Sequence, residues 1–267
     1  MKGVVDMSVT AEVIRQQQLN LAVKLASNTN EIEQALRLRY QVFVEEEKNF
    51  TMRNDSGLET DRYDEYCEHL IVQDVETSRV IGTYRLLPGD HATNKYGFYS
   101  ETEFDLANFA VHRNRTLELG RSCIAQEYRG SKAIQMLWDG IASFIAAKGY
   151  EYLIGCASIH IRNHTELLEI YSLLKNQQII TNQYGIKPLE SHRIEGLYEI
   201  DLTNREKEIF RKMPPLMKGY QWLGAQISGD PAYDAIFETV DFLIILDKEK
   251  ISRRYHKHFM QAKHANN

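Results

Sequence analysis

The run from Thr116 to Ile124, TLELGRSCI, is apolar except where Glu118 and Arg121 place opposite charges on what reads as a strand. Charges are costly to bury without partners, so these two point to acid–base or ion-binding work at that place. Gly120 between them predicts a β-bulge or a close backbone approach. The N–H groups beside Gly120 to Ser122 would then be available to polarise a carbonyl. Directly downstream, Arg129, Gly130 and Ser131 form a turn before a long amphipathic pattern that ends at Lys148. A helix starting there would present unpaired N–H groups and the positive end of its dipole, which suits an anion such as a phosphate.

The elements around this unit follow from periodicity. Residues 20–27 alternate apolar and polar positions, as a half-buried strand does. Asn30 with Glu33 predicts a capping-box start for a helix running through EIEQALRLRYQVFVEE, in which Arg39 and Phe43 share a face. From Glu45 to Glu68 nine acidic residues face three basic ones, which predicts a solvated loop apart from Asp61 and Asp64. His69–Asp74 and Val80–Leu86 predict a hairpin. Residues 87–115 lack periodicity and read as a long loop with short helical pieces over a binding site. Later come an apolar strand at Tyr152–Ile159, a helix near 163–175, strands near Gly196–Leu202 and Leu223–Ile227, a short helix opened by Pro214-Pro215, and a buried strand at Val240–Asp247. This predicts an α/β fold, one domain over 19–247, with a loosely ordered polar N-terminus (1–18) and a basic C-terminal helix and tail (248–267).

At 267 residues with a net charge of −5, the chain can bury a large core and shows no nucleic-acid footprint. Cys67, Cys123 and Cys156 form no CxxC pair, which fits a reducing compartment, and the latter two read as small buried thiols. The N-terminus lacks an apolar signal segment and no apolar run spans a bilayer, so a soluble cytoplasmic protein is expected. Segment 248–258 carries five Lys or Arg against one Glu and offers peripheral attraction to the inner face of a membrane.

Several chemistries drop out. GxGxxG, GxxxxGK[ST] and GxSxG are absent, which removes the main nucleotide and serine-hydrolase signatures. His69-x4-Asp74 resembles the glycerolipid-acyltransferase pattern, but on a strand residues five apart point to opposite faces. His160 and His164 would pair around a metal only on a helix, and the strand end at Ser158–His160 argues against one. No metal is called for.

The strand–turn–helix unit resembles the donor-binding core of the GNAT superfamily, implying a mixed central sheet flanked by helices with an extended C-terminal half. The turn QEYRGSKA departs in register from the usual [RQ]xxGx[GA]; this disfavours acetyl-CoA and leaves room for a carrier-protein donor. Arg39-x3-Phe43, Asp61-x2-Asp64, Arg85 and Glu118-x2-Arg121 occur in the order found in acyl-homoserine-lactone synthases, although the tryptophan expected after the first pair is missing. Over about 21–259, segments such as LRYQVF, DEYCEHLIV, ELGRSCI, LWDGIA, GCASI, PPLMKGY and VDFLIILD are similar to the ornithine-lipid N-acyltransferase (hemolysin-like) family. That resemblance implies transfer of a 3-hydroxyacyl chain from the phosphopantetheine of acyl carrier protein to the α-amine of ornithine or a related amino acid, with no other cofactor. For that reaction the candidate roles are Glu118 as base with Arg121 beside it, Arg39, Phe43, Asp61, Asp64 and Arg85 for the amino acid, and Gly120, Ser122, Arg129, Gly130 and Ser131 for the donor. Glu118 as a structural partner of Arg121 or Arg39, a homoserine-lactone synthase, and a non-catalytic binding protein stay open as alternatives.

Overall fold

A computed structural model describes residues 20–251. In chain order the elements are β1 (Leu21–Leu25), α1 (Thr29–Tyr40), β2 (Glu68–Asp74), β3 (Arg79–Pro88), α2 (Gly89–Thr93), β4 (Phe104–Asp105), β5 (Thr116–Ile124), α3 (Ala133–Lys148), β6 (Tyr152–Ile159), α4 (His164–Asn176), β7 (Ile180–Thr181), β8 (Lys187–Pro188), α5 (Glu206–Lys212), α6 (Pro215–Leu223), β9 (Gln226–Ser228), β10 (Ala232–Asp234) and β11 (Thr239–Asp247). The main sheet runs β1-β2-β3-β5-β6-β11-β9-β7, with β10 also paired to β11; β4 and β8 form a separate small ladder. This is the mixed sheet with flanking helices expected from the sequence.

The strands from β1 to β5 pair antiparallel, β5 and β6 pair parallel, and β6 and β11 return to antiparallel. A parallel neighbour needs a crossover, and α3 supplies it, packing along β1, β2, β3 and β5. Its buried residues Ala133, Leu137, Ile141 and Ile145 recur at helical spacing, and Gly149 ends it in the left-handed conformation. One hydrophobic cluster gathers the α1, α3, α4 and α6 residues against the sheet. A second packs Leu87, Ile154, Leu243 and Ile245 from alternate strand positions against Phe98, Phe104 and Phe109 of the long 89–115 segment. That segment is the loop with short helical pieces expected from its lack of periodicity.

Some elements differ from expectation. The first helix is capped by Asn28, whose side chain accepts from Glu31 N, while Glu31 reaches back to Ser27 N. The capping box thus sits two residues before Asn30–Glu33. Past Tyr40 the helix widens into a π-helical stretch, Gln41–Glu46, of the kind often found near functional sites. No strand forms at 196–202; there Ile200 N donates to Ser172 Oγ of α4 instead. The end of the strand expected at 223–227 lies in β9, and its start closes α6, whose first residue is Pro215. Of the basic segment, 248–250 is a single 3₁₀ turn followed by buried Ile251; the expected helix and tail from residue 252 on, with the expected membrane contact, and the polar N-terminus 1–18 fall outside the described residues.

Candidate active site

Side chains two apart on a strand share a face, and register carries that face across the sheet. β3 sets Leu87 opposite Glu118 and Arg85 opposite Gly120, β5 sets Glu118 beside Ile154, and β6 sets Ser158 opposite Asp241. Arg85, Glu118, Cys156, Ser158 and Asp241 therefore lie on one face, the face covered by the 89–115 segment. β5 and β6 pair only from Thr116–Tyr152 to Glu118–Ile154, although both strands run on. At the next position they remain in close approach, since a Cβ on Gly155 would sit 2.3 Å from the Leu119 carbonyl oxygen. Beyond it they part. Glu118 stands at the mouth of that opening.

The β3–β5 ladder pairs Arg85 with Gly120 and Thr83 with Cys123, so Arg121 and Ser122 together face Tyr84 in a bulge. Arg121 carries the strain, with φ +53, a conformation that costs a non-glycine residue roughly 1–3 kcal/mol. The bulge expected at Gly120 thus centres one residue later. An added Cβ at Gly120 would meet only Arg85 Nε, at 4.0 Å.

Arg121, Arg39 and Arg85 close a ring with three carboxylates. Arg39 binds Glu59 and, through two bonds of 2.6 and 3.1 Å, Asp64; Arg85 bonds Asp61 at 2.7 Å and Asp64 at 3.3 Å; Arg121 bonds Asp61 at 3.0 Å and Glu59 at 3.2 Å. Every charge lies between two opposite ones. Arg39, Arg85, Glu59 and Asp64 are buried, and Asp61 is the most open member, its side chain 22 % exposed. Burial alone would raise the carboxyls; Arg121 and Arg39 overturn that for Glu59, Arg85 and Arg121 for Asp61, and Arg39 and Arg85 for Asp64, so all three are held below the usual carboxylate range. Asp61 and Asp64, expected to meet substrate ammonium groups, are thus matched within the ring. Glu59, which completes it, lay hidden in a stretch whose composition reads as solvated loop.

Glu118 joins neither Arg121 nor Arg39. Its carboxylate accepts from Tyr99 N at 2.6 Å, Ser100 N at 2.8 Å and Ser100 Oγ at 2.5 Å. Burial nevertheless pushes its pKa up against these bonds. The Tyr99 ring covers the Arg121 guanidinium at 4.5 Å, Phe237 lies at the same distance, and Phe43 meets Phe237 edge-on.

Two cavities meet here. One, about 210 Å³, is walled by Phe43, Arg85, Tyr99, Glu118, Gly120, Arg121 and Ser122, and beyond them by Cys156, Ser158, Asp234 and Asp241. The other, about 730 Å³, is a mostly apolar groove between α3 and α6, lined by Ile124, Ile134, Trp138, Leu216 and Trp222 among others, with Arg129 and Gly130 at its rim. Phe43, Glu47, Ser122 and Leu216 border both. Gly130 has φ +83 and open space around it, so its glycine answers to conformation alone. Ser131 Oγ accepts from Ala133 N at the start of α3, and Arg129 is tied to Glu46 and the Ile124 carbonyl.

The remaining motifs assemble no second site among the described residues, although His160 and Cys156 line the polar cavity and His69 lies beside the ring. His69 is buried, with Nε2 4.0 Å from Asp64, beyond hydrogen-bond reach, while Asp74 caps the β2–β3 turn and accepts from Tyr128. His160 faces Glu47 and His164 faces the Gly196 carbonyl, so the two do not converge. All three cysteines are free, and burial raises the thiols of Cys123 and Cys156.

The acetyltransferase (GNAT) domain family matches residues 38–139. The chain is 35 % identical over 247 residues to an L-ornithine N(alpha)-acyltransferase of Brucella abortus, covering 88 % of this chain and 87 % of the relative. The chain belongs to that acyltransferase family. A second member, the L-ornithine N(alpha)-acyltransferase of Rhodobacter capsulatus, is 31 % identical, with 90 % of this chain and 95 % of the relative covered. Among solved structures, the CoA-dependent acyl-homoserine lactone synthase BjaI with SAM and isopentyl-CoA superposes at a TM-score of 0.52 and 17 % identity, over 90 % of this chain and 88 % of that one. The shared fold is the GNAT acyltransferase fold, and the protein is an acyltransferase.

Proposed function

We propose that the protein transfers a 3-hydroxyacyl chain from the phosphopantetheine of acyl carrier protein to the α-amine of ornithine. The observation that carries this reading is the position of Glu118: a buried carboxylate where β5 and β6 part, on the wall of a polar cavity that adjoins an apolar groove. The groove, mostly apolar and about 730 Å³, suits an acyl-pantetheine, and the smaller cavity of about 210 Å³ suits an amino acid. The names of the relatives point to ornithine.

An α-ammonium must lose a proton before it can attack. A carboxylate offers about four acceptor positions; Tyr99 and Ser100 fill three on Glu118, leaving one for the amine. Those donors fix its orientation, and its raised pKa makes it a stronger base. The amine nitrogen attacks the thioester carbonyl carbon, the Arg121–Ser122 bulge supplies N–H donors to the developing oxyanion, and the C–S bond then breaks as the N–C bond is kept. The proton that Glu118 takes from the ammonium is released to solvent before attack. The second, lost by the attacking nitrogen as the tetrahedral intermediate collapses, passes through Glu118 to the departing thiolate and regenerates the base. Arg121, at the cavity wall, holds the acceptor carboxylate; Arg39 and Arg85 keep the ring rigid behind it. Arg129, Gly130 and Ser131 take the single phosphate of the donor arm.

The test is reconstitution. Purified protein with 3-hydroxyacyl carrier protein and ornithine is expected to release carrier thiol and form N-acylornithine, detected by mass spectrometry. Thiol release that needs S-adenosylmethionine instead of ornithine would assign the site to lactone synthesis, and no amine-dependent release would overturn acyl transfer from the carrier.

A further inference from the structure

Three hydroxyls gather where the two cavities meet. Tyr84, next to Arg85 on β3, points to the opposite face of the sheet, toward α3 and α6. Its hydroxyl lies 2.9 Å from that of Tyr220 on α6, and the Ser122 side chain bonds to it as well. Trp138 of α3 packs edge-on against both rings, with centroids 6.1 and 5.4 Å away. Tyr84 and Tyr220 line the polar cavity, Trp138 lines the groove, and Ser122 borders both. Tyr84 is 1 % exposed and Tyr220 6 %. Burial holds both phenols above their ordinary values, so they stay protonated. Each hydroxyl carries one proton and two lone pairs. The two bonds among the three use two protons, whichever way each points, and no other hydrogen-bond partner is present among the described residues. One O–H is therefore left without an acceptor, with lone pairs to spare beside it. Packing alone would be served by phenylalanine, which buries no donor.

We propose that Tyr84, Tyr220 and Ser122 bind the 3-hydroxyl of the acyl chain and so select a hydroxylated donor. This inference rests on the acyl-transfer reading. Ser122 fixes the distance: its N–H belongs to the bulge that faces the developing oxyanion, and its hydroxyl belongs to the cluster. A 3-hydroxyl stands two carbons from the thioester carbonyl, so a carbonyl at the bulge sets it beside Ser122 and Tyr84. An alcohol both gives and takes a hydrogen bond, which matches a cluster with one proton and several lone pairs unused. A methylene at that carbon does neither and leaves the buried donor unpaired. Farther out the chain meets Trp138, Ile134 and Leu216 of the groove, where its methylenes find apolar walls.

The test compares three carrier-bound chains of one length, each with ornithine: (3R)-3-hydroxytetradecanoyl, its 3S enantiomer and tetradecanoyl. For the wild-type protein kcat/KM is expected to favour one enantiomer over the unsubstituted chain by about 10–100-fold, as one bond given and one taken imply, and over the other enantiomer by about tenfold. In Tyr84→Phe, which removes the hydroxyl joining the other two, both ratios are expected to fall at least about fivefold. In Tyr84→Phe/Tyr220→Phe both should approach one. A tyrosine pair that merely ties β3 to α6 would slow all three chains alike and leave the ratios unchanged, which would overturn the proposal. Equal transfer of the three chains by the wild-type protein would overturn it too, and that comparison needs no variant to fold. Binding is read separately by thermal shift with the same chains on pantetheine: the favoured enantiomer is expected to raise the melting temperature most. Equal transfer and equal shifts would sink the subsite and leave acyl transfer standing. A shift that distinguishes the chains without any transfer would sink the reaction and leave the subsite.

Discussion

In the ring of Arg39, Arg85 and Arg121, each of Glu59, Asp61 and Asp64 lies between two guanidiniums, whereas in a second cluster Asp241, on the cavity wall, has two hydroxyls and Glu103, buried beside Cys156, has its thiol. Both groups are acidic and both are buried, yet their carboxyls are driven in opposite directions: lowered in the ring by the arginines, raised in the cluster by burial and mutual charge. A ring in which every charge already lies between two opposite ones is suited to holding geometry. Arg121 and Tyr99 stand between them, with Tyr99 stacking on Arg121 on one side and donating its hydroxyl to Asp234 on the other.

The largest expected effect comes from breaking the ring. Arg39→Leu leaves Glu59 and Asp64 short of a buried partner and should destabilise the fold by about 3–5 kcal/mol, read by urea denaturation. A loss under about 1 kcal/mol would mean that the ring is not the scaffold described here.

Acid and alkali should separate the two groups next. Ring carboxyls have folded pKa values below their unfolded ones, so their stabilisation is present above about pH 4 and is lost as pH falls further. Cluster carboxyls have folded values above the unfolded ones, so their contribution is fully present below about pH 4 and is lost as pH rises toward those raised values. Glu103→Gln, which mimics the protonated acid, should therefore gain on wild type as pH rises, by at most about 1.4 kcal/mol per pH unit. A pH-independent difference between the two proteins would contradict the raised carboxyl.

The smallest effect belongs to the donor side. Gly130→Ala meets open space but a left-handed backbone, and should cost about 1–2 kcal/mol without altering the preference among acceptor amines. A change in ornithine preference in this variant would connect two regions that the account keeps apart.

What could be read from the sequence follows the same physics. Glu118 and Arg121 were visible because charge inside an apolar strand is conspicuous, and Gly120 flagged the bulge to within one residue. Asp241 sits in an equally apolar run and carried the same signal, but the run reads first as a buried strand. Glu59, Tyr99, Ser100 and Glu103 lie in irregular segments, where no period of two or of 3.6 says which side chains point inward. The capping box slipped because Asn28-x2-Glu31 and Asn30-x2-Glu33 have the same spacing; Lys24, which bonds Glu31 from β1, decides between them, and that contact is tertiary. The missing strand at 196–202 failed likewise, its Ile200 N–H taken by a helix serine and not by a neighbouring strand.

The central claim is that Glu118, not the ring, takes the proton, and the pH dependence of kcat/KM tests it most directly. With saturating 3-hydroxyacyl carrier protein and ornithine as the varied substrate, wild type should lose activity as pH falls through the raised Glu118 pKa. Glu118→Gln should be slower by about 10²–10⁴-fold and lack that limb, following only the acceptor amine. A Glu118→Gln protein with the wild-type rate and the wild-type profile would contradict the account.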